Sequence, residues 1–88
     1  MSYNYNEHRN FLFTDRGNVM FLSIRDRVNR LIDTAGAVSM GAAISGESGD
    51  VWNMMACVDR MVELNEIYEV QMVGPVPGQR RLFFKPIY

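Results

Sequence analysis

GDVWNMMACVDRMVELNEIYEVQMVGPVPGQRRLFFK, residues 49–85, decides the fold. Its first part has helical spacing. Val51, Met54, Met55, Val58, Met61 and Val62 recur at intervals of three and four, which places them on one helical face. Asn53, Ala56, Arg60 and Glu63 fall on the opposite face, and Trp52 falls to the side, where its ring is partly exposed. Asp50 precedes the apolar run and is expected to cap it by accepting from the free amides of the first turn. Asn65 stands where a helix ends in a left-handed residue. The period then changes to two. Tyr68, Val70 and Met72 alternate with Glu69 and Gln71, the pattern of a strand with one wet face. Gly74-Pro75-Val76-Pro77-Gly78 cannot continue a strand and reads as a turn. Leu82 and Phe84 alternate with Arg81, Phe83 and Lys85 in a return strand.

Upstream, Phe21, Ile24, Val28, Leu31, Ile32 and Ala35 share one face of a further helix, ended by Gly36. Thr14-Asp15-Arg16-Gly17-Asn18 reads as the turn before it, with Asn18 as its cap. A hairpin of FLFT and VMFL joined by DRGN is the alternative, and the strong helical pattern that follows favours the helix. Ala37-Val38 is a stub of strand. Ser39 caps a short helix of small residues, Met40 to Ile44, and Ser45-Gly46-Glu47-Ser48-Gly49 is a loop. Helices are thus expected near residues 19–35, 40–45 and 50–64, with a hairpin of about 66–73 and 80–85. The expected core is Phe21, Ile24, Val28, Leu31, Ile32, Val51, Met55, Val58, Val62, Val70 and Leu82.

The first ten residues, MSYNYNEHRN, are polar with two tyrosines, and the first few are expected to be loose. Phe11, Leu12 and Phe13 crowd together behind them. They dock either on the domain's own core or on a second copy in a homodimer.

Length and composition bound the rest. Eighty-eight residues make one small domain with one modest core. Apolar residues make up 48 %, which argues against disorder. A net charge of −1 gives no general attraction to nucleic acid or to an anionic membrane. Cys57 is the only cysteine, so no internal disulfide forms and no thiol metal site is supported; a reducing, cytoplasmic setting is expected. The N-terminus lacks the basic-then-apolar pattern of a signal peptide, and no run is long enough to span a bilayer.

No catalytic constellation is visible, and an enzyme is not expected. His8 is the only histidine, Cys57 has no histidine near it in sequence, and SGESG lacks the Lys and Ser/Thr of a phosphate loop. No cofactor or metal is expected. Two features carry more. Arg80-Arg81 with Lys85 beside the turn is either a solvated strand end or a phosphate contact. Trp52 is either an edge of the core or an interface anchor, the role in which Trp is enriched.

The order of helix, strand stub, short helix, turn, longer helix, strand, turn and strand resembles the winged helix-turn-helix superfamily. The resemblance covers residues 18–86 and rests on DTAGAVSMGAAISGESGDVWNMMACVDRMVELNEIYEV and on RRLFFKP. It is one of pattern and order, with no single specific motif. It implies an α+β fold, a three-helix core with a C-terminal β-hairpin wing, in a domain of residues 18–88 preceded by an N-terminal extension, 1–17, that could dimerise. In that superfamily the second helix of the pair enters the major groove and the wing touches backbone or minor groove. Carried across, the groove-facing positions are Ser48, Asp50, Trp52, Asn53, Ala56 and Arg60, and the wing contacts are Gln79, Arg80 and Arg81. The implied function is that of a small DNA-binding regulator acting on double-stranded DNA. The surface departs from that pattern, because Glu47 and Asp50 meet phosphates unfavourably and no Lys or Arg precedes Arg60 on the helix. The alternative is a protein-interaction module on the same fold, with Trp52, Phe11 and Phe13 as contacts and no DNA binding.

Overall fold

A computed structural model describes residues 3–71 and 81–86. The fold is α+β, with four α-helices and a three-stranded antiparallel sheet among the described residues. In chain order these are α1 (Tyr5–His8), a 3-10 turn (Arg9–Phe13), α2 (Asp15–Ala35), β1 (Val38–Ser39), α3 (Met40–Ile44), α4 (Val51–Glu63), β2 (Tyr68–Gln71) and β3 (Arg81–Phe84). The strand order is β1-β3-β2, with Val38 opposite Phe83 and Val70 opposite Leu82. The turn expected at Gly74–Gly78 lies outside the described residues, as do Met72, Gln79 and Arg80.

Local chemistry fixes most element ends. Asp50 Oδ1 accepts from the Trp52 and Asn53 amides at 2.7 and 3.3 Å, capping α4. At its other end Asn65 takes φ 62°, and the Glu66 and Asn65 amides donate to the Met61 and Val62 carbonyls, closing a Schellman motif. Gly36, at φ 85°, ends α2 in the same left-handed region, where a side chain would be strained. Ser39 caps α3 through the Ala42 amide.

Helix α2 begins four residues before the expected start, and its cap is Thr14 rather than Asn18. Thr14 Oγ1 accepts from the Gly17 amide at 3.0 Å, and Asn18 lies inside the helix. The residues that read as a turn are compatible with a first helical turn, and Asp15 there complements the helix dipole.

The core gathers Leu12, Phe21, Ile24, Val28, Ile32, Val38, Met54, Val58, Met61, Ile67 and Phe83. Several expected core positions lie elsewhere. Val51 is 53 % exposed and Val70 41 % exposed, while Leu31, Met55, Val62 and Leu82 are only half-buried. Two causes account for this. On α4 the buried stripe is rotated towards Ala56 and Cys57, both fully buried, because a second layer covers that side. On the hairpin the inward face is the one carrying Phe83, so Tyr68, Val70, Leu82 and Phe84 share the outward face. Both strand faces hold large apolar side chains, and burying Phe83 on the central strand removes a whole aromatic ring from water.

Candidate functional site

The second layer is the N-terminal segment. Residues 3–13 are packed in place, so of the start expected to be loose only Met1 and Ser2, which lie outside the described residues, are left; α1 and the 3-10 turn both contact α4. Asn4 caps α1 by accepting from the Asn6 amide. Tyr3 Oη donates to Asp59 Oδ2 at 2.5 Å, and Tyr5 Oη donates to Glu63 Oε1 at 3.0 Å. Arg9 Nε donates to both Glu63 oxygens at 3.0 and 3.1 Å. His8 Nδ1 lies 3.1 Å from Asn53 Oδ1, and its ring meets Trp52 edge-on at 5.4 Å. The Arg9 and Arg60 guanidiniums flank the Phe13 ring at 5.1 and 5.4 Å.

These contacts shift the groups that make them. Burial, reinforced by the hydrogen bonds to Asp59 and Glu63, raises the Tyr3 and Tyr5 hydroxyls above the usual tyrosine range. The Arg60 hydrogen bond, with those from Arg9 and Tyr5, holds the Glu63 carboxyl below the usual glutamate range.

The positions named from sequence are therefore placed as follows. Ala56, on the side of α4 away from Met54 and Met61, is fully buried and cannot face a groove. Asn53 is engaged by His8, and Arg60 by Glu63 and Phe13. Trp52 is half-buried against His8. Phe11 is half-buried, and Phe13 is exposed on one side of the segment. Ser48 is exposed at the rim of an open depression of about 660 Å³ whose charged lining is Asp15, Glu47, Asp50 and a single Arg16. Arg81 points inward: Nη2 donates to Asp59 Oδ1 and Glu69 Oε1, and Nε donates to Glu69 Oε2 at 2.8 Å. Lys85 is bridged to Asp33 at 2.8 Å. Arg81, at the start of β3, and Lys85, just past its end, are thus both spent on carboxylates.

Sequence reasoning missed Tyr3, Tyr5, Arg9, Asp59 and Glu63 as partners, since a contact across more than fifty residues leaves no periodicity to read. The crowded Phe11-Leu12-Phe13 was the one signal of docking, and of the three it is Leu12 that enters the core.

Cys57 is buried in α4, and its Sγ donates to the Asn53 carbonyl at 3.3 Å. Burial, with the charge of Glu47, pushes its thiol up to about 12, the opposite of an activated nucleophile. No group of three His, Cys, Asp or Glu side chains among the described residues is disposed to hold a metal ion. No described helix is long and apolar enough to cross a membrane.

Comparison with models of known protein families, with curated proteins and with solved structures gives no match.

Proposed function

We propose that this chain is a winged-helix domain that works as a protein-interaction module rather than as a reader of DNA. The element order supports the winged-helix part: α2, β1, α3, α4 and a hairpin, with β1 pairing onto β3. One observation carries the interaction part. The face of α4 that a DNA reader would lay in the major groove is taken up by the chain's own residues 3–13, to the point that Ala56 has no exposed surface. The carboxylates on that face, Asp59 and Glu63, are already matched by Arg81, Arg60 and Arg9. These cations are therefore engaged rather than offered to phosphate, and the carboxylate oxygens suit a partner that brings hydrogen-bond donors. The outward sheet face adds an apolar surface, where Tyr68 and Phe84 stack at 5.7 Å beside Val70 and Leu82.

Fluorescence anisotropy on random duplex DNA at low salt tests this. The expected result is no binding at about 0.1 mM protein, well inside the non-specific range. Binding that weakens with salt, and less steeply in an Arg80→Ala variant, would return the function to DNA recognition by the hairpin. The homodimer belongs to the same proposal, with exposed Phe13 as its contact; sedimentation of wild type against Phe13→Ala tests it.

A further inference from the structure

Residues 3–13 reach α4 through hydrogen bonds and an ion pair, with Tyr3 and Tyr5 also packed against the edge of the core. Helix α1 contributes no buried residue, and in the segment as a whole only Leu12 is buried. Its contacts with Asp59 and Glu63 lie at or near the surface, where hydrogen bonds and ion pairs hold a segment weakly. The segment is fastened at one point instead. Gly17, buried in the first turn of α2, lies directly beneath the backbone of Phe11 and Leu12. A Cβ on Gly17 would stand 2.9 Å from Leu12 Cα and nearer still to the Phe11 carbonyl, and both obstacles are main chain. Thr14 alone joins the segment to α2.

Beneath the segment, the acceptors are held by groups that do not belong to it. Arg81 holds Asp59 closely through Oδ1, at 2.6 Å, and more distantly through Oδ2, at 3.4 Å, the oxygen that accepts from the Tyr3 hydroxyl. Arg60 fixes Glu63 from one helical turn away. Ala56 and Trp52 supply an apolar floor between them. Release of the segment leaves this arrangement in place, with acceptor capacity freed on two carboxylates that Arg81 and Arg60 still position, and an alanine opened to water.

We propose, on the basis of the interaction-module reading, that the outer face of α4 is a peptide-docking face occupied in cis by residues 3–13. The partner that takes it over is a protein segment of the same chemistry. It is a short helical stretch with two tyrosine hydroxyls directed at Asp59 and Glu63, and a guanidinium directed at Glu63. The charge match selects it: the face offers carboxylates, and the cis occupant answers them with hydroxyls and Arg9. The contact at Gly17 keeps the face closed until a stronger segment displaces the first.

The test uses the full chain carrying Gly17→Ala, which forces the segment off while alanine favours α2. Trp52, the single tryptophan, reports the opening, and a labelled peptide of residues 3–13 is titrated onto wild type and variant. In the variant, Trp52 emission shifts to the red and the peptide binds at about 0.1 mM or below, while wild type does not bind it. A peptide with Arg9→Ala binds about two- to fivefold more weakly, the scale of one exposed ion pair. A folded Gly17→Ala protein with red-shifted Trp52 that ignores the peptide overturns the docking face. A folded variant with an unchanged Trp52 spectrum overturns the fastening at Gly17. Should Gly17→Ala fail to fold, the full-chain Tyr5→Phe/Arg9→Ala variant loosens the segment without touching α2, and peptide binding or its absence decides in the same way. Salt-dependent DNA binding by the same samples would mark failure of the interaction-module reading, separately from either result.

Discussion

Arg81 Nη2 donates to Asp59 Oδ1 at 2.6 Å, tying the central strand of the sheet to α4. The same guanidinium grips Glu69 on the neighbouring strand, so one cation joins three elements at a partly buried point.

Arg81→Met should therefore destabilise the fold by about 1–3 kcal/mol, since two nearby carboxylates lose their counter-charge. The Arg81 hydrogen bonds hold the Glu69 carboxyl below the usual glutamate range. A folded-state value lower than the unfolded one gives stability that is present above the ordinary glutamate value of about 4.3 and lost as pH falls through the lower folded value. Urea midpoints measured across that acid window should drop in wild type and drop less in Arg81→Met. Parallel profiles would remove Arg81 from this role.

Phe83→Ala should cost about 3–5 kcal/mol, while Val70→Ala should stay within about 0.5 kcal/mol. The first empties a fully buried site on the central strand, and the second trims an outward side chain. Equal losses in chemical denaturation would reverse the assignment of the two sheet faces.

Thr14→Ala should lower stability by about 0.5–2 kcal/mol through loss of the cap on Gly17, whereas Asn18→Ala should change it by no more than about 0.5 kcal/mol. Thermal melts of the two variants distinguish the observed helix start from the one expected at residue 19.

Cys57 should ignore thiol reagents in the native protein near pH 8 and react when the chain unfolds. Its raised folded value implies stability that is complete below the unfolded thiol value of about 8.5 and lost as pH rises above it. Cys57→Ala should flatten that alkaline decline. Fast labelling of native protein would show that α4 opens there.

The sequence by itself determined what neighbours along the chain decide. Asp50, Ser39, Gly36 and Asn65 were legible as ends of helices because a cap or a left-handed residue acts within a few positions of itself. The period of three and four placed α2 and α4, and the period of two placed β2 and β3. Only the tertiary structure decided which face of each element went inward. Alternation gives two faces on a strand and does not rank them when Phe83 stands on one and Val70 and Leu82 on the other; packing on the helices ranks them. Likewise Asn53, Ala56 and Arg60 lie opposite the strongest apolar stripe of α4, and the stripe alone leaves them facing water. Tyr3, Tyr5 and Arg9 cover that side from more than fifty residues away, through hydrogen bonds to Asp59 and Glu63 whose register exists only once α2 has turned the chain back on itself.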